Sequence, residues 1–345
     1  MIRDKVVCDI IIPVWNNLDL TRNCAESVFK NTHFAFRLII VDNGSDMPTA
    51  DYLRSLANEK KEKVLLVRNN VNQGFIKATN EGIKRSNAPY LCLLNNDTEV
   101  TKGWLEEMIK VAEKEKHIGI VNANSNTLGC KLKPGKSLES LAIELKAHSG
   151  EHTTLAWATG FCMLIKREVI DKIGLFDEIY GMGNFEDADF SKRARKIGYS
   201  SVCAVASYVY HRERRSFVRF KRFDRDFNRN KEIFYSKWGR QERILYVITK
   251  NDVSGREAVS EKSFRLASDG HVIWIFLKGR DGSGIKKHSN TYIYNINERF
   301  FDAISLWRIA KRKKRFDRIR VDDKNYSEKL KKLSFLHKAE VVYGF

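Results

Sequence analysis

Two acidic segments and one histidine carry the residue types that do chemistry in this chain. The first segment is Asn95-Asn96-Asp97, at the end of the apolar run Leu91-Cys92-Leu93-Leu94. A short carboxylate in such a place can hold a hard divalent cation together with a substrate phosphate. The same letters also make an ordinary helix-capping turn. The second segment is Glu186-Asp187-Ala188-Asp189, which runs into the helical spacing Phe190, Ala194, Ile197. Acids favour a helix start, but three in four residues exceed what a cap needs. A carboxylate partly buried there can act as a general base, and the helix end with a neighbouring cation would keep it ionised. His211 closes the following strand pattern. Imidazole ligates transition ions, although a lone histidine is more commonly a surface or satisfied group.

The elements that must position these residues follow from the apolar pattern. Val7 to Val14, Arg37 to Asp42, Val64 to Val67 and Tyr90 to Leu94 read as buried strands, separated by helical spacings. This βαβαβ order with short connections predicts an α/β fold with a mostly parallel sheet and flanking helices. Such a sheet lines up its carboxyl ends along one edge, where ligands bind. Asn16, Asp42 and Asp97 then share that edge. Gly74 opens the helix after the third strand, whose free N–H groups attract an anion, with Lys77 in its first turn. A helix over 101–115 and a strand over Ile118 to Val121 follow. Residues 123–152 read as an irregular, turn-rich segment over the site, and Trp157 to Ile165 as a core strand containing Gly160. Neither GxGxxG after the first strand nor GxxxxGK[ST] is present, which excludes a dinucleotide fingerprint and a P-loop.

The 345 residues, 43% of them hydrophobic, suit one large domain or two ordinary ones. No apolar run approaches a membrane span, and no signal peptide is evident. Six cysteines without a CxxC pair fit a reduced, cytoplasmic setting. The net charge is +19, concentrated at 211–243 (12 Lys/Arg against 5 acids) and 308–320 (8 against 1). Such patches attract polyanions: nucleic acid, anionic lipid or phosphorylated carriers. From Phe217 to Trp238 the chain is basic and aromatic, as in an amphipathic helix that either packs on the catalytic domain or docks on the inner membrane face.

Taken in order, Ile10-Ile11-Ile12-Pro13-Val14-Trp15-Asn16, Val41-Asp42-Asn43-Gly44-Ser45, Asn72-Gln73-Gly74-Phe75, Leu94-Asn95-Asn96-Asp97, Gly174-Leu175-Phe176-Asp177-Glu178, Glu186-Asp187-Ala188-Asp189-Phe190 and His211 resemble a family 2 glycosyltransferase. The likeness covers about residues 6–235 and is greatest to the rhamnosyltransferase-like branch. It implies a GT-A fold and inverting transfer of a sugar from a nucleotide-diphosphate donor, a UDP- or dTDP-sugar such as dTDP-rhamnose. The acceptor would be a hydroxyl of a glycan or lipid-linked molecule. By the same resemblance Asp42 contacts the nucleotide base, and Pro13, Trp15 and Asn16 form the first nucleotide-binding loop. Asn43, Gly74, Lys77, Asn95 and Asn96 complete the nucleotide-sugar site. Asp97 and His211 bind Mg²⁺ or Mn²⁺, and Asp187 is the base, with Asp189 second and Glu186 beside them. Asn95 stands where the family's DxD motif usually has Asp, which removes one negative charge.

The expected organisation is a GT-A domain over 1–240 and a Rossmann-like accessory or truncated GT-B-like module over 241–345. Two other readings remain. A basic nucleic-acid-binding protein would explain the charge, though no RNA- or DNA-binding signature is present. A catalytically silent nucleotide-sugar binder would explain Asn95.

Overall fold

The first strand, Cys8–Val14, is buried along nearly its whole length, so it needs cover on both faces. The computed structural model supplies that cover, and it describes residues 7–212, 223–250, 253–279 and 284–345. The chain falls into two units: one of residues 1–153 and 157–237, the other of 154–156 and 238–345.

Unit 1 runs β1 (Cys8–Val14), α1 (Leu18–Asn31), β2 (Phe36–Asn43), α2 (Met47–Glu59), β3 (Val64–Asn69), α3 (Phe75–Lys84) and β4 (Tyr90–Leu94). It continues with β5 (Thr98–Val100), α4 (Trp104–Lys114), β6 (Ile118–Asn124), α5 (Leu138–Leu145) and β7 (His152–Leu155). Then come β8 (Cys162–Lys166), α6 (Arg167–Ile173), α7 (Glu186–Lys196), β9 (Ser200–His211) and α8 (Phe223–Trp238). The sheet order is β3-β2-β1-β4-β8-β6-β9-β5, with β7 on β9. The pairs β1–β2, β2–β3 and β1–β4 are parallel, whereas β8 is antiparallel to β4 and to β6. This is the α/β architecture expected from the apolar runs, with an antiparallel strand inserted after the first four.

The amphipathic helices fit the pattern that prompted them. In α4 the buried residues Trp104, Leu105, Met108, Val111 and Ala112 form one stripe. Three local readings change. The helix expected over 101–115 starts only at Trp104, because Thr98–Val100 pairs with β9 first. The segment 123–152 contains a capped helix, α5, whose Ser137 side chain accepts from Ser140 N–H. The strand expected over 157–165 begins at Cys162, and residues 157–161 form a turn instead.

Unit 2 runs β10 (Arg243–Ile248), α9 (Val253–Ser268), β11 (Val272–Lys278), β12 (Thr291–Ile296) and α10 (Phe301–Ala310). It ends with β13 (Arg318–Val321), α11 (Lys324–Lys332), α12 (Ser334–His337) and β14 (Glu340–Tyr343). All five strands are parallel, in the order β12-β11-β10-β13-β14. Alternate residues of β10 feed two separate cores. Leu245 and Val247 pack with α10 and α11 through Phe301, Ile309 and Leu330, while Ile244, Tyr246 and Ile248 pack with α9 through Val259 and Ala267. Helices on both faces are what an all-parallel sheet requires.

No helix is long and apolar enough to cross a membrane among the described residues. Cys8, Cys24, Cys92, Cys162 and Cys203 are buried and free of disulfides. Burial is the main cause that pushes each thiol upward, so these cysteines serve as small core hydrophobes.

Candidate active site

Strand register brings the two distant polar segments together. Leu94 pairs with Cys162 across β4–β8, so the tip that follows β4 emerges beside the 159–161 turn. Asn95 N–H donates to Phe161 O at 2.8 Å and fixes that junction. On the other side, Thr98 pairs with His211 across β5–β9, which delivers Asp97 next to the histidine. His211 Nε2 stands 3.1 Å from Asp97 Oδ1. The imidazole is stacked on Phe161, with ring centroids 5.4 Å apart. Asn126 locks the strand end by accepting from His211 N–H and donating to His211 O.

The acidic helix start reaches the same place from the opposite side. Asn184 and Phe185 both have positive φ (77° and 75°), a conformation that costs side-chain-bearing residues energy and turns the chain sharply into α7. Two asparagines hold this turn and its neighbour. Asn230, buried within α8, donates to Tyr180 O at 2.7 Å and Gly183 O at 2.9 Å. Asn122, buried on β6, accepts from Thr159 N–H and donates to Thr159 O and Cys162 O. Gly160 N–H then donates to Asp187 Oδ2 at 3.2 Å, and Ala188 N–H donates to Oδ1 at 2.7 Å.

Between these parts lies a cavity of about 320 Å³ whose walls include Asn95, Phe161, Gly160, Glu186, Asp187 and His211. Its volume is in the range of small-molecule sites. Glu186 is buried, and burial together with the charge of Asp187 pushes its carboxyl up to about 8. Asp187 keeps partial exposure, and burial raises its carboxyl too, opposed by the N–H groups of Ala188 and Gly160. The cation expected beside Asp187 goes elsewhere: Arg193 and Lys237 both pair with Asp189, at 2.8 and 2.7 Å.

Asp189 is therefore a correction to the sequence reading. Its side chain is fully buried, accepts from Tyr180 Oη as well, and does not line the cavity. It ties α7 to α8 instead of facing a substrate. Asn43 is a second correction. Its carboxamide donates to Asn72 Oδ1 and Gly74 O and accepts from Gln73 N–H and Asn69 Nδ2, which uses its full hydrogen-bonding capacity. It positions the 72–74 loop. Gly74 has φ 90°, and a Cβ there would come within 2.9 Å of Met182 Sδ, so the glycine lets the 181–182 loop approach.

The remaining nucleotide-side residues cluster at the carboxyl end of β1 and β2. Asp42 is buried, accepts from Ser45 N–H and pairs with Arg68. Asn16 takes positive φ, accepts from Asp46 N–H through its side chain and is met at its carbonyl by Asn96 Nδ2 at 3.5 Å. Asn96 also donates to Thr21 Oγ1. Pro13 is half-buried, Trp15 is 36% exposed at the end of β1, and Lys77 is exposed on α3. None of these lines the 320 Å³ cavity.

The fit to a divalent cation rests on one atom. Asp97 Oδ1 is buried with no hydrogen-bond donor, because His211 Nε2 lies close without hydrogen-bond geometry. A buried carboxylate oxygen left this way is costly unless something else completes it. Asp97 and His211 offer oxygen and nitrogen donors of the kind Mg²⁺ or Mn²⁺ accepts. Among the described residues no group of three or more such side chains assembles, so water or a ligand's oxygens would supply the rest of the shell.

Sequence reasoning missed Asn122 and Asn230. For Asn230 a signal existed: it shares the 227–230–234 stripe with Phe227 and Phe234 and is the polar residue on it. That stripe packs inward, with Phe234 against Trp157 and Phe185, and Phe227 against Phe185. These contacts of Phe227 and Phe234 support the turn at 184–185. Phe217 and Phe220 lie outside the described residues. Asn230→Leu should lower unfolding stability by about 1–3 kcal/mol, since two carbonyls lose their donor in a buried place. The shift of the denaturant midpoint at unchanged slope measures this.

Comparison with known proteins adds independent findings. Residues 9–174 match the model of the family described as Glycosyl transferase family 2. An uncharacterized protein y4gI of Sinorhizobium fredii is 27% identical over 59% of this chain and 24% of its own. The O-antigen biosynthesis protein RfbC of Myxococcus xanthus is 25% identical over 61% of this chain and 18% of its own. The putative glycosyltransferase EpsH of Bacillus subtilis is 25% identical over 59% of each. The chain thus covers less than two thirds of the length of each of these relatives. Among solved structures, a mannosyltransferase from Pyrobaculum calidifontis in complex with GDP-Man and Mn²⁺ is 16% identical, with a TM-score of 0.47 over 61% of this chain and 59% of that one.

Proposed function

We propose that unit 1 is a glycosyltransferase that moves a sugar from a nucleotide-diphosphate donor to a hydroxyl of a glycan or lipid-linked acceptor, with inversion. The observation that carries this reading is the single cavity that Asn95 and His211 share with Glu186 and Asp187. Residues more than ninety positions apart have no packing reason to converge their polar groups on one opening. The family match over residues 9–174 supports the same reaction class.

Each part of the reaction has a residue suited to it. Asp187 faces the cavity with its carboxylate fixed by the Gly160 and Ala188 N–H groups, and it takes the proton from the attacking hydroxyl. Attack comes from the face opposite the leaving diphosphate, which gives inversion. Glu186 holds its own proton at neutral pH, because burial and the charge of Asp187 disfavour a second anion. One carboxylate and one carboxylic acid then stand side by side, and only the first can serve as base. Asp97 and His211 would hold a divalent cation, whose chemistry is to neutralise charge developing on the diphosphate. Asp42, on the β2 end, is the acid assigned to the nucleotide base, and its pairing with Arg68 keeps it oriented.

A panel of nucleotide-sugars tested for thermal stabilisation, with and without Mn²⁺, examines the proposal. One donor at a hundred times its Kd should stabilise the protein by about 2.7 kcal/mol. UDP- and dTDP-sugars, dTDP-rhamnose included, come first. Steeply salt-dependent RNA binding with no response to any nucleotide-sugar would sink the transferase reading in favour of a nucleic-acid-binding one.

A further inference from the structure

We propose a second ligand site, for a small phosphate-bearing molecule, at the carboxyl edge of the five-stranded sheet of unit 2. It is independent of the glycosyltransferase reading, since every residue that builds it lies in unit 2.

The topology places it. Successive strands step outward from β10 to β11 and β12, then the chain returns to the other side of β10 for β13 and β14. The order therefore reverses between β10 and β13. At such a switch point the connections leave in opposite directions and open a crevice beyond the carboxyl ends of the strands. The expected crevice is present: a cavity of about 420 Å³ lined by Thr249, Lys250, Lys278, Asp323, Asn325 and Lys329, among others. Lys278 is shared with a second cavity of about 750 Å³ along the same edge, which adds both Glu298 and Arg299 to its wall.

Side-chain commitments decide the sign of the ligand. Asp322 closes the floor by accepting from Thr249 N–H, Thr249 Oγ1 and Lys250 N–H at 2.8–3.0 Å. Asp323 caps α11 by accepting from Tyr326 N–H at 2.6 Å. Asp302, also at the rim, pairs with Lys329 at 3.0 Å. Among the described residues, the two acids that line this cavity, Asp302 and Asp323, are thus engaged by the fold. Lys250 and Lys278, by contrast, have no carboxylate partner among the described residues. One helix, α11 of 9 residues, begins at this same edge, with Asp323, Asn325 and Tyr326 at its start among the lining. An anion is the ligand that these groups jointly favour.

The site does not suit a dinucleotide. No Gly-rich turn follows β10, and the last residue of β11 is Lys278, where a ribose-binding site would carry an acid. The recognised chemistry is a phosphate or diphosphate group.

The test uses the full chain and inorganic pyrophosphate in calorimetric titration, with EDTA present so that metal-dependent binding does not contribute. Wild type should show one saturable, metal-independent site. Lys250→Glu with Lys278→Glu should weaken it at least tenfold, and the milder pair Lys250→Met with Lys278→Met should weaken it as well. Lys313→Glu with Lys314→Glu changes charge equally but lies outside the crevice, so it should leave the affinity unchanged. Absence of saturable binding in wild type, or an equal loss in the Lys313/Lys314 variant, overturns the proposal.

Discussion

Asp187→Asn should lower sugar transfer by roughly 10²–10⁴-fold, the usual worth of a general base, while donor affinity stays within a few-fold of wild type. The substitution keeps size and one acceptor oxygen, so one of the two N–H groups, Gly160 or Ala188, keeps its partner and the other loses it. What it removes is the basic lone pair aimed into the cavity. Initial rates together with donor titration separate the two quantities. A loss of donor binding with intact turnover would reassign Asp187 to the binding surface. The pH profile of the wild type gives a second check on the same group. Burial raises the Asp187 carboxyl, so its protonated, inactive form persists to higher pH than for an ordinary carboxylate. Transfer should therefore fall toward acid with an apparent pKa above the normal range near 4. The pair Glu186–Asp187 titrates as a unit, so that limb belongs to both carboxyls.

The parts of this fold that were legible in the sequence are those where local pattern and tertiary environment agree. Ile10 to Val14 and Leu38 to Val41 are apolar runs, and both became central parallel strands. The helix over 186–196 follows from its acids and its Phe190–Ala194 spacing, and it stands where expected. The illegible parts depend on who meets whom. Residues 157–161 have strand-like composition, yet the side chain of Asn122 captures the Thr159 backbone and bends them into a turn. Nothing within the local sequence announces that partner. Asp189 looked equivalent to Asp187, two positions away on a helix start. A helix turns by roughly 200° over two residues, since it has 3.6 per turn. Asp187 consequently faces the cavity while Asp189 faces Arg193 and Lys237. The charges around an acidic cluster cannot be assigned until that rotation is fixed. Asn43 shows the same limit: an asparagine at the end of a strand reads as a ligand contact until its four hydrogen bonds are counted.

Asp97→Ala should abolish the metal-dependent part of donor binding. Affinity with Mn²⁺ should drop at least about 100-fold, the upper end of what even an outer-shell partner of a metal contributes, and should then match the affinity without metal. With Asn at 95 and 96, Asp97 is the one carboxylate of that segment. Its Oδ1 is buried and lacks a donor, and the imidazole of His211 stands 3.1 Å away. Two accounts fit this pair. If Asp97 serves chiefly as the partner of His211, the substitution lowers stability and leaves the metal dependence of binding unchanged. If the two side chains converge to share a cation, the substitution removes the metal response. Stability would then suffer little, because the His211 ring keeps its stacking on Phe161. Calorimetry of donor binding with and without Mn²⁺, run beside thermal denaturation, separates the accounts. A Mn²⁺ response that survives in Asp97→Ala would remove the cation from this site and leave the diphosphate to be neutralised by protein groups alone.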